Sequence, residues 1–401
     1  MPDDTPVLPR LPDDAVAEIL LRLPAKTLFR SGAVCKAWRR ITTDPNFLAR
    51  ACRQPASIIL HTYLDATTTP RLRSETPAAA AEDVALDALP ISLEEADRRR
   101  LIRYPKTPLN KRAHCRLLAS CDGVLLFKMD DEWLYLLCNP ITRQWAELPR
   151  LPAEYRRDRD PEYAFYFHQP SGEFRLLCCS LMRRGWYILS TGAAGPRHVK
   201  ANGVPVYLTT RFTPSLFSTT TTPVALHGNV HWPPLWRFST VGTSQSPGTQ
   251  MTAFNMVLET FHQMPGPPST TPTMVNLFEM GGLLVAADFG EENHVDLWFL
   301  EDYDAGRWER RHRVASPWGS ARSRRGLHSV AAAGDDEGNV ILGNNDGLVV
   351  YNVRRGETVR TVDSLEQRKS TAFVSRHAFK GSLAHARHAC FITRPPAGFP
   401  R

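Results

Sequence analysis

Asp288, Glu291, Glu292, Asp302 and Asp304 lie close together in the sequence. Two carboxylates held a few ångströms apart could hydrolyse a glycosidic bond, one protonating the leaving oxygen and the other acting as base or nucleophile. Their settings argue against that use. Asp302 and Asp304 fall in "EDYDAGRW", a turn in which short acids bond their own backbone, and Glu291-Glu292 sit in a polar loop after "ADFG". His231, beside Trp232 in "NVHW", has the side chain of a general base, but nothing near it in sequence marks a nucleophile. His377, His385, His388 and Cys390 are metal-type ligands with no second ligand pair at zinc spacing. No GxSxG, P-loop, HExxH or dinucleotide glycine pattern occurs. The expectation is a chain that is no enzyme and needs no cofactor or metal.

The elements that hold these residues follow from composition and pattern. The eight cysteines are scattered without a CxxC pair, which suits buried thiols in a reducing compartment. No run of eighteen apolar residues and no signal-peptide pattern is present, so the expected location is cytoplasmic or nuclear, with no membrane partner. The net charge of +8 rests on 41 arginines and only 8 lysines, in clusters such as "RRRLIR" (98–103), "RRDR" (156–159), "RRHR" (310–313) and "RSRR" (322–325). These clusters are interspersed with acids and no nucleic-acid motif accompanies them, so a solvated or protein-binding surface is expected and nucleic acid is not. Lys106 and Lys111, in "RYPKTPLNKR", read as part of an exposed loop.

Residues 11–47 form a separate unit, expected as a domain over 8–53. Leu11-Pro12-Asp13-Asp14 is a helix start, with a proline that needs no donor and acids at the positive dipole end. Val16, Ile19, Leu20 and Leu23 then repeat at helical spacing. Pro24 ends that helix and opens a second that carries Leu28, and Gly32 breaks it. A third helix places Val34, Trp38 and Ile41 on one face and ends at Asp44-Pro45. About forty residues without disulfide or metal rarely close a core unaided, so part of this apolar surface is expected to be completed by another protein.

These residues resemble an F-box. Its pattern is met by Leu11-Pro12, Ile19-Leu20, Leu23-Pro24, Val34-Cys35-Lys36-Ala37-Trp38 and Asp44-Pro45-Asn46-Phe47. The resemblance implies docking on the Skp adaptor and, through it, a cullin. The expected contacts are Leu11, Pro12, Ile19, Leu20, Leu23, Pro24, Leu28, Val34 and Trp38, with Leu20 and Leu23 foremost.

The remainder, 54–401, reads as all-β. Residues 65–83 are polar and of low complexity, an exposed loop or linker. Gly123, Gly172, Gly228, Gly282 and Gly338 each precede an apolar run and lie 49, 56, 54 and 56 residues apart. Each is followed by a second hairpin signal led by Asn, Asp or Ser, as in "CNPITRQWAELP" and "FNMVLETFHQMP". Such a period indicates a β-propeller of about six blades, and "SIILHTY" (57–63) could supply the strand that closes the ring. A sandwich would leave the near-equal spacings unexplained. WD markers are absent, and only "GGLLVAADFGEENHVDLWFLEDYDAGRW" is kelch-like. "SCDGVLLF", "CNPITRQWAELP" and "LHGNVHW" resemble the F-box-associated domain of plant F-box proteins. The resemblance implies a substrate-recognition adaptor of an SCF-type ubiquitin ligase, whose propeller binds an unknown target. A Skp-bound scaffold acting outside a ligase and a propeller enzyme are the alternatives. The Ser/Thr/Pro-rich stretches 213–223, 239–250 and 265–273 are candidate target-binding loops.

Overall fold

The structure, a computed structural model, describes residues 11–23, 25–51, 56–64, 82–106, 115–129, 134–151, 163–180, 185–200, 222–234, 250–268, 275–291, 293–316, 330–344, 347–363, 372–382 and 391–392.

Four short helices open the chain: α1 (Asp13–Leu21), α2 (Ala25–Ser31), α3 (Lys36–Ile41) and α4 (Pro45–Ala51). Among the described residues, twenty-four strands follow in six four-stranded antiparallel sheets, the blades of a propeller. Blade 1 joins β1 (Ser57–Leu64), β2 (Glu82–Pro90) and β3 (Arg99–Lys106) to the last strand of the chain, β24 (Ala372–Phe379). Blade 2 is β4 (Cys115–Cys121), β5 (Val124–Met129), β6 (Leu134–Asn139) and β7 (Gln144–Glu147). Blade 3 is β8 (Tyr163–His168), β9 (Glu173–Ser180), β10 (Gly185–Ser190) and β11 (Arg197–Val199). Blade 4 is β12 (Val224–Leu226), β13 (Asn229–Trp232), β14 (Gln250–Asn255) and β15 (Thr260–Pro265). Blade 5 is β16 (Val275–Met280), β17 (Leu283–Asp288), β18 (His294–Asp302) and β19 (Arg307–Ala315). Blade 6 is β20 (Val330–Ala333), β21 (Asn339–Asn344), β22 (Gly347–Asn352) and β23 (Glu357–Asp363). The leading strands of neighbouring blades meet one another, β16 with β20 and β24 with β4 among them, so they line the axis.

The repeating signals in the sequence are the two turns of a blade. In blade 2 the first turn is Asp122-Gly123, both at positive φ, the two-residue hairpin geometry that follows the twist of its strands. A side chain at Gly123 would also strike the Ser382 backbone nitrogen at 2.6 Å. The second turn is led by a side-chain acceptor: Asn139 Oδ1 accepts from Ile141 N and Thr142 N, Asn255 Oδ1 from Val257 N and Leu258 N, and Asn352 Oδ1 from Arg354 N and Arg355 N.

Between each pair of adjacent blades lies one apolar core. Blades 1 and 2 share Ile59, Leu86, Phe127 and Trp145, and blades 6 and 1 share Ile58, Leu60, Ile341 and Val350. Consecutive residues of β1 thus feed opposite cores, as the two-residue period of a strand requires. Burial on both faces explains why the inner strands read as unbroken apolar runs. The ring closes as expected, β1 pairing antiparallel with β24 from Ser57↔Phe379 to Thr62↔Ala372.

Four expectations need correction. Asp44-Pro45 does more than end α3. Asp44 Oδ1 accepts from Asn46 N at 2.8 Å and Phe47 N at 3.0 Å, capping a fourth helix, with the proline in a first turn that needs no donor. Val34 lies before α3 rather than on it, because Cys35 Sγ takes the Trp38 N–H and caps the helix there. The polar stretch 65–83 overruns into β2, where Glu82 and Asp83 pair with Lys106 and Pro105 of β3. The same register puts "RRLIRYPK" on the outer strand of blade 1, so Lys106 is not in a loop; Lys111 lies outside the described residues.

The chain end adds a second clasp. Trp145 and Ile392 exchange both backbone hydrogen bonds at 2.8 and 2.7 Å on the outer edge of blade 2. The buried Phe391 ring joins the core between blades 2 and 3, 6.0 Å from Phe174. Phe391→Ala is expected to cost about 3–5 kcal/mol of propeller stability, read as a lower urea midpoint. An unchanged midpoint would show that the clasp adds nothing.

Candidate functional site

The helical unit has a small core of its own, in which Leu20, Leu28, Phe47 and Ala51 are buried with Val16, Leu21, Leu23, Trp38, Ile41 and Leu48 packed around them. Hydrogen bonds finish the ends of α2 and α3, and ion pairs join α1 to α3 and α4. Ser31 Oγ donates to Leu28 O at 2.6 Å and Thr42 Oγ1 to Trp38 O at 2.9 Å. Asp13 at the start of α1 pairs with Arg40, and Glu18 pairs with Arg50.

The nine residues expected to dock a partner divide. Leu20 and Leu28 are core residues of the folded unit, and Leu23 and Trp38 are half-buried against that core. Leu11, Pro12, Ile19 and Val34 are exposed, and Pro24 lies outside the described residues. The contrast is sharpest between neighbours on α1, with Ile19 at 51% exposure and Leu20 at 0%. A foremost docking role for Leu20 does not fit a side chain already enclosed by its own helices. Phe29, 41% exposed, was not singled out in the sequence, and its adjacency to the buried Leu28 was the available signal, since consecutive helical residues point about 100° apart. Of the eight large apolar side chains exposed among the described residues, four, Leu11, Ile19, Phe29 and Val34, belong to this short unit, and Val257, Leu258, Val359 and Ile392 lie on the propeller. The arrangement offers binding through apolar contact rather than chemistry.

On the propeller, the groups with chemical potential have structural employment. Asp302 Oδ1 accepts from Ala305 N and Asp288 Oδ1 from Gly290 N, both at 2.9 Å, as short acids do in turns. Glu291 and Asp304 are exposed, and Glu292 lies outside the described residues. His231 is enclosed between blades 4 and 5, its Nδ1–H toward Val224 O at 3.2 Å and its Nε2 accepting from the Tyr303 hydroxyl at 2.6 Å. Burial pushes its pKa down to about 4, so the ring is a neutral strut. Among the described residues no three His, Cys, Asp or Glu side chains gather as a metal site. His377 is buried in β24, and His385, His388 and Cys390 lie outside the described residues.

Ion-pair networks among the described residues organise the blades. Asp87, buried in β2, accepts from Arg98 and Arg100, with Arg98 Nη2 at 2.7 Å. Burial raises the Asp87 pKa, but the bonds and charges of Arg100 and Arg98 outweigh it and hold the carboxyl below the usual range. Glu259 receives Arg175 and Arg197 from blade 3, joining blades 3 and 4. "RRHR" lies on β19, where Arg310 and Arg313 meet Asp296 and Arg311 meets Glu301. The "RRDR" and "RSRR" clusters lie outside the described residues. Among the described residues no helix is long and apolar enough to cross a membrane.

The family model for the F-box domain matches residues 8–50. Among curated proteins, the chain is similar to the F-box protein At3g07870 of Arabidopsis thaliana, 24% identical over 316 residues, which are 74% of this chain and 70% of that protein. It is also similar to the Arabidopsis F-box/kelch-repeat protein At3g61590, 26% identical over 148 residues, covering 37% of this chain and 31% of that one. Among solved structures, a chain of a nidogen/laminin complex superimposes with a TM-score of 0.43 at 10% identity, over 80% of this chain and 97% of that one, too loosely to inform function.

Proposed function

From an F-box domain at residues 8–50 followed by a six-bladed propeller, we propose a substrate-recognition adaptor of an SCF-type cullin-RING ubiquitin ligase. The F-box docks on the Skp adaptor, and the propeller holds a target protein. The observation that carries this reading is the division of the helical unit. Its core is filled by Leu20, Leu28, Phe47 and Ala51, yet Leu11, Ile19, Phe29 and Val34 remain in solvent. Four exposed apolar side chains concentrated in a unit of about forty residues favour a surface that a partner covers. The alternating strand directions put the ends of β1, β11, β13 and β15 at the rim opposite the entry of the F-box into blade 1. Those of β11, β13 and β15 lead toward the Ser/Thr/Pro-rich stretches 213–223, 239–250 and 265–273, most of which lie outside the described residues, and the target is proposed to bind on this rim.

The test separates docking from folding. Ile19→Ala combined with Phe29→Ala is expected to reduce Skp capture by well over tenfold, because truncating central anchors costs about 2 kcal/mol or more. The melting of the domain should hardly move. Leu20→Ala is expected to destabilise the domain by about 2–5 kcal/mol and to lose capture through unfolding. Full capture by the Ile19/Phe29 variant would sink the docking assignment. If Skp is captured but no cullin follows, the chain is a scaffold outside a ligase.

A further inference from the structure

Among the described residues, one propeller side chain packs against the core of the F-box. Among the described residues, Ile141 alone belongs both to the apolar surround of the helical core and to the core between blades 1 and 2. It sits at the tip of the second turn of blade 2. There Pro140 restricts the backbone before it, and Asn139 Oδ1 holds the Ile141 N–H at 3.0 Å and the Thr142 N–H at 3.2 Å. Arg143 completes the turn in the left-handed region at φ 57°.

The same turn recurs in other blades, which isolates what is special here. In blade 4 the position matching Ile141 is Val257, gripped in the same way by Asn255 but 60% exposed. In blade 6 it is Arg354, held by Asn352 and exposed. The turn geometry therefore needs no apolar residue at its tip. In blade 2 that position is half-buried, and the F-box helices are among the groups packed against it.

Where the chain enters blade 1, Ala56 N donates to Gly334 O of blade 6 at 2.7 Å, a bond within the propeller itself. A main-chain link alone allows rotation about it, and a half-buried side chain packed against the helices restricts that freedom.

We propose that Ile141 is a positioning residue that sets the orientation of the F-box domain on the propeller. Its turn is pre-organised and acts as a fixed peg packed against the helices. In the adaptor reading, on which the consequence rests, this peg fixes the direction in which a bound target is presented and so its effective concentration at the ligase.

The test replaces Ile141 with the residue type that blade 6 tolerates at the same place, so the turn itself should fold. Spin labels are attached to Lys26→Cys in the F-box and Arg355→Cys in blade 6, both exposed positions, in a Cys35→Ser background of the full chain. The other described cysteines are buried or half-buried. With Ile141 present, a single narrow distance distribution is expected. Ile141→Arg should broaden it at least about twofold, Ile141→Val should keep it narrow, and the propeller melt should be unchanged in both. An Ile141→Arg distribution as narrow as the parent's would overturn the proposal, as would a broad distribution in the parent. Skp capture measured on the same samples keeps the two readings apart. Failure of the parent to capture Skp would sink the adaptor reading and leave the orientation result standing.

Discussion

A chain lacking residues 54–64 is expected to emerge from size-exclusion chromatography as aggregate, with no cooperative melt. Those residues contain β1, an interior strand of its blade with β24 on one side and β2 on the other. Ile58, Ile59 and Leu60 are completely enclosed and supply the cores on both sides of blade 1. Three such side chains are worth about 2–5 kcal/mol each, against a total stability on the order of 5–15 kcal/mol for a folded domain. The deletion also bares two long strand edges that would pair with other chains. A monomeric, cooperatively melting product would mean that the ring does not depend on joining its two ends.

Replacing one carboxylate should come next in size. Asp87→Ala is expected to cost about 3–5 kcal/mol, because it leaves buried guanidinium charge without its partner. Most of that loss belongs to Arg98, whose side chain is 14% exposed, while Arg100 at 39% is partly screened by water. The corresponding Asp296→Ala in blade 5 should cost much less, since Arg310 and Arg313 both reach well into solvent. The pH dependence has a definite sign. A carboxyl held below its usual range in the folded state contributes its stability in full above the unfolded value and loses it as pH falls through the folded one. The melting temperature of the parent should therefore drop relative to Asp87→Asn as pH falls below about 4. Equal slopes for the two proteins would show that the network adds no stability.

Blades 2 to 6 were legible because their hairpins announce themselves in local chemistry. Asp122-Gly123, or Asn255 ahead of Met256, is a turn wherever it is placed. Blade 1 was only half legible. Its ring-closing strand was found, but β2 and β3 were not, because "EDVALDALP" carries charges where a buried strand would be apolar and "RRLIRYPK" reads as surface arginine. No glycine turn marks them, since β24 and β1 are joined by pairing across the ring rather than by a hairpin. In the helical unit, the order of prolines and apolar residues was plain in sequence, whereas the side of each apolar residue was not.

What the sequence determined by itself is everything that depends on a few consecutive residues: the breaks at Pro24 and Gly32, the capped turns, the period near fifty residues and the buried texture of the strands. What only the tertiary structure decided depends on partners far away in the chain. Ile19 and Leu20 are both aliphatic and adjacent, and the packing of α2 and α4 against one face of α1 is what hides one and leaves the other in water. Asp87 is a surface residue by type and a buried one by place, because Arg98 and Arg100 fold back beside it across a strand pair. Ser57 meets Phe379 and Ile141 meets the F-box for the same reason. The ring-closing strand is legible in the sequence, whereas its register, Ser57 against Phe379, is set only by the closed ring.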